Sequence, residues 1–301
     1  MTDSVIEVQD LRKDYGGFSA VDGISFDIRR GETFALLGPN GAGKSTTIEI
    51  LEGYRHRTSG DVRVLGVDPQ HGRLDWKARL GIVLQSTGEA GNFTVRELLT
   101  EFAGYYPHPR DIDEVIAAVG LEQKQRSRAG KLSGGQQRRL DVALGIIGRP
   151  EMLFLDEPTT GFDPEARHQF WDLIRSLKAE GTSILLTTHY LDEAAQLGDR
   201  AAVIAAGRIA AIGPIDEIGG PDARTPVVRW RDAAGTRHEQ RTAIPGAFVA
   251  ELHRTAGEPD TLEVVRPTLE DIYLGLIRQH DADALGDPTT HDSRTDLKEP
   301  A

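Results

Sequence analysis

The 301-residue sequence contains no cysteine. Disulfides, cysteine-ligated zinc and iron–sulfur clusters are therefore excluded, and a reducing compartment is compatible with the chain. The N-terminal segment, MTDSVIEVQD, is polar and acidic instead of basic and then apolar, so we expect no secretory signal. The apolar runs, such as residues 201–206, are far shorter than the roughly 20 residues that span a bilayer. We therefore expect a protein that stays in the cytoplasm and meets the membrane only through a partner.

Basic residues are outnumbered, with 35 Lys and Arg against 47 Asp and Glu and a formal net charge of −12. Broad binding to nucleic acid needs a basic surface, so we expect no nucleic-acid partner, although a local basic patch stays compatible with these totals. With 39% hydrophobic residues, a chain of this length can bury a sizeable core. The length predicts one large domain with an appendage, or two domains.

Short apolar runs alternate with amphipathic helical patterns between residues 5 and 213, which predicts a largely parallel sheet with crossover helices. Residues 33–37, 152–155 and 184–188 are predicted to be its buried central strands. Between residues 83 and 150, three apolar stripes at helical spacing predict a helical insert. The stripes are Val95, Leu98, Leu99 and Phe102; Ile112, Val115, Ile116 and Val119; and Leu140, Ala143, Leu144 and Ile147.

The pattern changes again from about residue 215, where strands at 227–230 and 262–265 flank a short helix, and a strongly amphipathic helix follows. This predicts a small C-terminal α+β appendage over residues 215–280. Residues 281–301 are polar and almost free of large apolar side chains, so we expect a disordered tail.

A glycine-rich loop follows the strand predicted at 33–37 and opens a helical pattern. Its residues are Gly38, Pro39, Asn40, Gly41, Ala42, Gly43, Lys44, Ser45 and Thr46. In this context backbone N–H groups and the helix N-terminus converge on phosphate oxygens, Lys44 supplies a full charge to the β and γ phosphates, and the Ser45 hydroxyl ligates Mg²⁺. A chance match arises in roughly one chain of this size per hundred, so a glycine-rich turn with a surface lysine is the alternative. The strand–loop–helix context favours the phosphate site.

Acidic and polar residues end other predicted strands at the same sheet edge, where α/β sheets bind ligands. Asp156 is placed to hold magnesium, directly or through water, and Glu157 to polarise the attacking water. The alternative for both is a helix cap. His189 is placed to contact the γ-phosphate or the water, and Gln85 to reach the metal or water; alone, each fits a structural or surface role better.

The pentapeptide Leu132-Ser133-Gly134-Gly135-Gln136, directly before a predicted helix, resembles the signature of ABC ATPases. Physically it is a second anion site, because Ser133 is a helix N-cap and the two glycines expose backbone N–H groups. In the family this site faces the γ-phosphate of ATP held by the other subunit. Since the chain has one copy of each motif, the resemblance implies a second ATPase domain, most simply in a homodimer.

The resemblance covers residues 4–214. It implies a P-loop NTPase of the α/β class, an ABC ATPase domain over residues 1–214, with a mostly parallel core sheet, an antiparallel β subdomain and a helical subdomain at about residues 86–150. It also implies ATP and Mg²⁺ as ligands, Tyr15 as the adenine-stacking aromatic, Glu157 as catalytic carboxylate, His189 as switch histidine, and Lys44 and Gln85 in the catalytic set. Asp163 matches the acidic residue of the dimer-facing loop, and Ser133, Gly134, Gly135 and Gln136 match the nucleotide-contacting signature.

Two positions depart from the family pattern. Phe162 stands where leucine usually precedes the acidic residue, and Ser86 follows Gln85 where an acidic residue is frequent. Neither change removes a catalytic group.

Residues 188–194 and 267–273 resemble ATPase subunits of daunorubicin-type bacterial drug-resistance exporters, which also carry such an appendage. This implies an ATP-hydrolysing subunit at the cytoplasmic face of the cell membrane, working with a separately encoded transmembrane permease to export drugs, antibiotics or other hydrophobic compounds. The alternatives are a soluble ABC ATPase acting on ribosomes or DNA, and a regulatory nucleotide-binding module without turnover. The sequence shows no second cassette, coiled-coil insert or basic surface, and it fills every catalytic position.

Overall fold

The computed structural model describes residues 3–83, 91–232 and 234–285, with side chains described up to residue 280. The chain forms two compact units, Met1–Gly220 and Pro221–Ala301. The boundary falls slightly beyond the expected residue 214, because the Ile215 N–H bonds to the Asp199 carbonyl at 3.0 Å and Ile218 is buried. Residues 215–220 therefore belong to the first unit.

The first unit has strands β1 (Ser4–Tyr15), β2 (Phe18–Arg29), β3 (Thr33–Leu37), β4 (Ser59–Val64), β5 (Leu80–Val83), β6 (Met152–Asp156), β7 (Ser183–Thr187), β8 (Arg200–Ala205) and β9 (Arg208–Pro214). Its helices are α1 (Lys44–Leu51), α2 (Leu74–Lys77), α3 (Val95–Ala103), α4 (Ile112–Ala118), α5 (Gly134–Ile146), α6 (Pro164–Ala179) and α7 (Leu191–Leu197). Short 3-10 turns lie at Pro69–His71, Glu122–Lys124 and Ala129–Lys131.

The core sheet has the order β5-β6-β7-β3-β8-β9, and its strands are parallel except for the antiparallel β9. Successive side chains of a strand point to opposite faces, so Met152 and Phe154 enter one apolar cluster and Leu153 and Leu155 another. Burial on both faces explains the continuous apolar runs predicted as central strands. Because β6, β7 and β3 are parallel neighbours, the segments that follow them meet at one edge.

A second sheet, of order β2-β1-β4, is antiparallel and packs its apolar side chains into the same cluster as Phe154 and α1. Its long β1–β2 hairpin brings Tyr15 opposite Phe18 at the turn. The sheet is the antiparallel β subdomain that the family resemblance implies, although no local pattern predicted strands of twelve residues.

The three apolar stripes form α3, α4 and α5, and their residues Leu99, Ile116 and Ala143 are buried in a common cluster. Each helix begins at a polar N-cap: Thr94 and Ser133 form capping boxes, and the Asp111 carboxylate accepts from two backbone N–H groups. These caps fix where the helices start.

The second unit contains β10 (Val227–Arg231), β11 (Arg237–Arg241), α8 (Pro245–Ala256), β12 (Thr261–Val265) and α9 (Leu269–Leu285), with the antiparallel sheet order β11-β10-β12. Trp230 of β10 packs on Phe248 of α8 at 5.5 Å between ring centroids. Helix α9 runs to Leu285, so the tail expected from residue 281 begins as helix. Within the described residues, every helix is too short or too polar to cross a bilayer.

Candidate functional site

The glycine-rich loop connects β3 to α1, as the sequence predicts. Gly43 has φ 105°, and a methyl group there would lie 2.3 Å from the Ala20 carbonyl oxygen, so only glycine fits. Gly41, at φ 80°, also takes the left-handed conformation. The loop therefore curls back over the start of α1 and turns its N–H groups toward one point.

Lys44, the first residue of α1, is buried inside this curl. Its Nζ donates to the carbonyls of Gly38 at 2.7 Å and Pro39 at 3.1 Å. Burial lowers the pKa of the Lys44 ammonium, and the carboxylates of Glu157 and Asp156 oppose that shift. The ammonium thus lies between the loop and the acidic strand end.

A cavity of about 600 Å³ opens in front of the loop. Its lining residues are Tyr15, Phe18, Ala20, Asn40, Gly41, Gly43, Lys44, Ser45, Thr46, Arg55 and Glu157. The structure therefore brings together the predicted phosphate loop, the predicted aromatic and the predicted carboxylate. Phe18 and Arg55 were not anticipated, because they lie outside the motifs and only the hairpin and the turn after α1 bring them there.

Tyr15 presents a 40% exposed side chain at the hairpin end. The Lys13 ammonium lies 4.9 Å and the Arg55 guanidinium 5.5 Å from the centre of its ring. Arg55 also pairs with Glu49 at 2.5 Å. The ring is flanked by cations and faces a cavity large enough for a planar base.

Asp156 is the last residue of β6 and Glu157 follows it, and β6 pairs with β7. The Asp156 carboxylate accepts a short hydrogen bond from the Thr187 hydroxyl. The Glu157 backbone N–H donates to the Thr187 carbonyl and hydroxyl, both at 3.1 Å. Thr187 thus holds the Asp156 carboxylate and the Glu157 backbone, a role that its position at a strand end did not reveal.

His189 follows β7, one residue later than predicted, since the strand ends at Thr187. Its Nδ1 lies 3.4 Å from a Glu157 carboxylate oxygen, and its ring packs at 4.0 Å on Tyr190. The Glu157 side chain is 14% exposed and that of His189 is 45% exposed. A half-buried carboxylate that lines the cavity therefore faces a solvent-accessible imidazole.

Ser133 caps α5, and its hydroxyl accepts from the Gln136 N–H while the Gln136 side chain accepts from the Ser133 N–H at 3.1 Å. Gln136, predicted to contact nucleotide, thus serves the helix cap in this structure. A β-carbon at Gly134 or Gly135 would meet nothing within 4 Å. The fold of the described chain does not require these glycines, and the surface before them is open. Among described residues, the cavity lining includes none of Ser133, Gly134, Gly135 and Gln136.

Asp163 caps α6 and accepts from the Ala166 N–H at 2.8 Å. Phe162 beside it is buried, with its ring 6.0 Å from that of Phe170 in an edge contact. Phe162, which departs from the family pattern, therefore packs in the hydrophobic core. Gln85 and Ser86 lie outside the described residues.

Arg138 is a site residue that the sequence did not reveal. Its Nε donates to the Pro158 carbonyl at 3.0 Å and its Nη2 to the Asp156 carbonyl at 2.6 Å. It looks like a surface residue of an amphipathic helix in the sequence, yet it is buried. The only sequence signal is its place one turn into α5, and no spacing rule links α5 to the end of β6.

The chain is similar to known proteins over most of its length. The ABC transporter family model matches residues 21–160. The Nod factor export ATP-binding protein I of Paraburkholderia xenovorans is 38% identical over 303 residues, which cover 92% of this chain and 98% of that protein. The chain belongs to the ABC transporter family. It is an ATP-binding subunit with an ABC ATPase domain.

The similarity of other ABC proteins extends over both units. The Nod factor export ATP-binding protein I of Rhizobium johnstonii is 40% identical over 295 residues, covering 90% of this chain and 94% of that protein. A solved structure of an ATP-binding subunit of an ABC transporter superposes with a TM-score of 0.69 and 24% identity, covering 91% of this chain and 99% of that one. The ABC fold expected from the motifs is therefore confirmed.

Proposed function

We propose that this ABC subunit hydrolyses ATP with Mg²⁺ in a head-to-tail dimer and thereby drives a separate transmembrane permease that exports drugs, antibiotics or other hydrophobic compounds. The observation that carries the proposal is the placement of Glu157 and Lys44 on one cavity, with His189 3.4 Å from the Glu157 carboxylate. A cation for phosphate and a base for water are the two groups that the reaction requires.

The phosphate loop binds the nucleotide. The N–H groups of residues 38–46 and the N-terminus of α1 take the phosphate oxygens, and Lys44 neutralises the β and γ phosphates. The Lys44 Nζ now rests on the carbonyls of Gly38 and Pro39, so it is held where phosphate oxygens arrive. The adenine base stacks on Tyr15, a contact that contributes about 1–3 kcal/mol.

Hard oxygen donors suitable for Mg²⁺ are present. The Ser45 hydroxyl lines the cavity, and the Asp156 carboxylate lies at the end of β6, which β7 separates from β3 in the core sheet. These two groups would hold the ion together with phosphate oxygens. When bound there, Mg²⁺ would neutralise charge on the phosphates. The third predicted ligand, Gln85, stays a prediction because it lies outside the described residues.

Glu157 activates the attacking water. Its carboxylate lines the cavity in front of the phosphate loop, within which water held against the γ-phosphate would meet it. His189 orients the water or the γ-phosphate through its ring, whose Nδ1 already faces Glu157. Both side chains are held by the parallel neighbours β6 and β7, which gives the pair a rigid base.

The signature peptide completes the site of a second copy. Ser133 and the two glycines form an open helix N-terminus that is absent from the described lining of the chain's own cavity. A nucleotide bound to a partner subunit supplies the anion that this terminus attracts. Asp163, at the start of α6, lies in the loop that faces the dimer partner.

The names of the relatives support export as the direction of transport. The drug or hydrophobic cargo rests on the resemblance of residues 188–194 and 267–273 to drug exporters. Co-purification with a multi-span permease would support the transporter assignment, whereas co-purification with ribosomes or DNA would support the soluble alternative.

Glu157→Gln tests the chemistry. We expect ATP hydrolysis to fall by about 10²–10⁴-fold, the range that a general base contributes, while ATP affinity stays within about twofold. The measurements are phosphate release and binding of a fluorescent ATP analogue by the full chain. Glu251→Gln, on the exposed face of α8, is the matched control and should hydrolyse ATP like the parent. Hydrolysis at the parent rate by Glu157→Gln would show that Glu157 is not the base.

A further inference from the structure

The catalytic carboxylate sits on a strained turn. Glu157 has φ +48°, in the left-handed region that is uncommon for a residue with a side chain. Such a conformation is strained and persists only where surrounding contacts hold it. The orientation of the Glu157 side chain therefore depends on what fixes the two peptides around it.

Two groups hold this turn from opposite sides. On the β7 side, Thr187 accepts the Glu157 N–H. On the α5 side, Arg138 donates to the backbone carbonyls of the two residues that flank Glu157. Its Nη2 donates to the carbonyl of Asp156 and its Nε to the carbonyl of Pro158. One guanidinium thus brackets the catalytic residue.

A guanidinium is the group that this arrangement requires. Arg138 has a side chain 7% exposed, and burial lowers its pKa against the opposing charges of Asp141 and Asp156. A buried cation is costly unless its hydrogen bonds are made. A planar fork with several fixed donors reaches two carbonyls at once, whereas a lysine ammonium is a single point charge.

The same helix carries the signature peptide. Helix α5 starts directly after the N-cap Ser133, and Arg138 lies on its second turn. Over this short distance an α-helix is rigid, so a displacement of the signature end moves the guanidinium as well. The end of α5 that the partner's nucleotide would engage is therefore joined to the turn that carries this chain's own base.

We propose that Arg138 is a positioning residue that ties the Glu157 turn to the signature helix, so that engagement of Ser133 by a partner-bound nucleotide sets the orientation of Glu157. The inference rests on the proposed function. It adds that each catalytic carboxylate responds to the nucleotide across the dimer through a contact within its own subunit.

Arg138→Lys, in the full chain, is the first test. It keeps the charge but not the fork, so we expect kcat to fall at least about tenfold while KM and the affinity for a fluorescent ATP analogue stay within about twofold. Arg138→Met, which keeps length without donors, should lose at least as much. Arg139→Lys is the matched control, because Arg139 is the next residue of α5 and its guanidinium donates to the Gln169 side chain of α6 at 2.9 Å. Its kcat should equal that of the parent.

A double-mutant cycle tests the link to the signature. If Arg138 transmits engagement of Ser133, then Ser133→Ala and Arg138→Lys should each lower kcat, and their combined loss should be clearly smaller than the product of the single losses. Independent multiplication of the two losses would overturn the link. A parent-like kcat in Arg138→Lys, an equal loss of nucleotide affinity, or failure of both Arg138 variants to fold would overturn the positioning role. The proposed function is judged separately, by Glu157→Gln.

Discussion

At the scale of single residues, the buried carboxyl of Glu52 gives the clearest electrostatic signal outside the cavity. Glu52 follows α1 and is 7% exposed. Burial, with further contributions from Asp156 and Glu49, raises its pKa from 4.5 to about 8. Between about pH 4.5 and pH 8, the Glu52 carboxyl is therefore protonated in the folded protein and ionised in the unfolded chain. The stability that this proton contributes is complete below about pH 4.5 and is lost as the pH rises toward 8.

Glu52→Gln removes this pH dependence, because an amide stays neutral. We expect its free energy of unfolding to exceed that of the parent by about 1–3 kcal/mol at pH 8, with the difference growing between pH 6 and pH 8. Denaturant unfolding at the two pH values measures it, with the exposed-site variant Glu251→Gln as the control. A difference that does not change with pH would contradict the raised pKa.

Individual site residues differ in how far the sequence could place them. The loop from Gly38 to Thr46 has its own local context, a strand before it and a helix after it, and the structure has the loop there. Arg138 and Thr187 have no local signal, since their roles arise only when α5, β6 and β7 are packed together. Gln136 closes the capping box of α5, and its predicted contact with nucleotide stays a prediction.

At the scale of elements, the signature glycines make a prediction that separates folding from function. A β-carbon at Gly135 meets nothing within 4 Å, and alanine is a better helix former than glycine. Gly135→Ala should therefore leave the free energy of unfolding unchanged or raise it by up to about 1 kcal/mol. It should nevertheless lower ATP hydrolysis, because the methyl group enters the surface that we propose meets the partner's nucleotide.

Gly246→Ala is the matched control for this experiment. Gly246 occupies the second position of α8, as Gly135 does in α5, and is equally open. The two variants should have similar unfolding free energies but different ATPase rates. Equal rates in Gly135→Ala and the parent would show that the signature surface contacts no nucleotide.

Elements with an apolar period were predictable, and those without one were not. Strand β3 spans the residues expected, and β10, β12, α8 and α9 lie where the C-terminal patterns indicate. Strand β11, Arg-His-Glu-Gln-Arg, has no apolar residue and becomes a strand through its pairing with β10. Tertiary pairing decides such a segment, because its own side chains carry no preference that a pattern can detect.

At the scale of the whole molecule, the chain contains one phosphate loop and one signature peptide, each at the start of a helix. The cavity in front of the phosphate loop is open and polar, and its described lining lacks the second anion site. In the head-to-tail dimer proposed above, each cavity receives a signature peptide from the other subunit. In the same proposal, nucleotide is the contact that holds the dimer together, and hydrolysis releases it.

The assembly state of Glu157→Gln with ATP and Mg²⁺ tests this account most directly. Because binding is retained and turnover is blocked, we expect sedimentation velocity to show a monomer without nucleotide and a dimer at saturating ATP and Mg²⁺. Adding Ser133→Ala and Gly135→Ala to this variant should weaken the dimer. A chain that stays monomeric with ATP and Mg²⁺ bound would contradict the central claim that two subunits share each nucleotide.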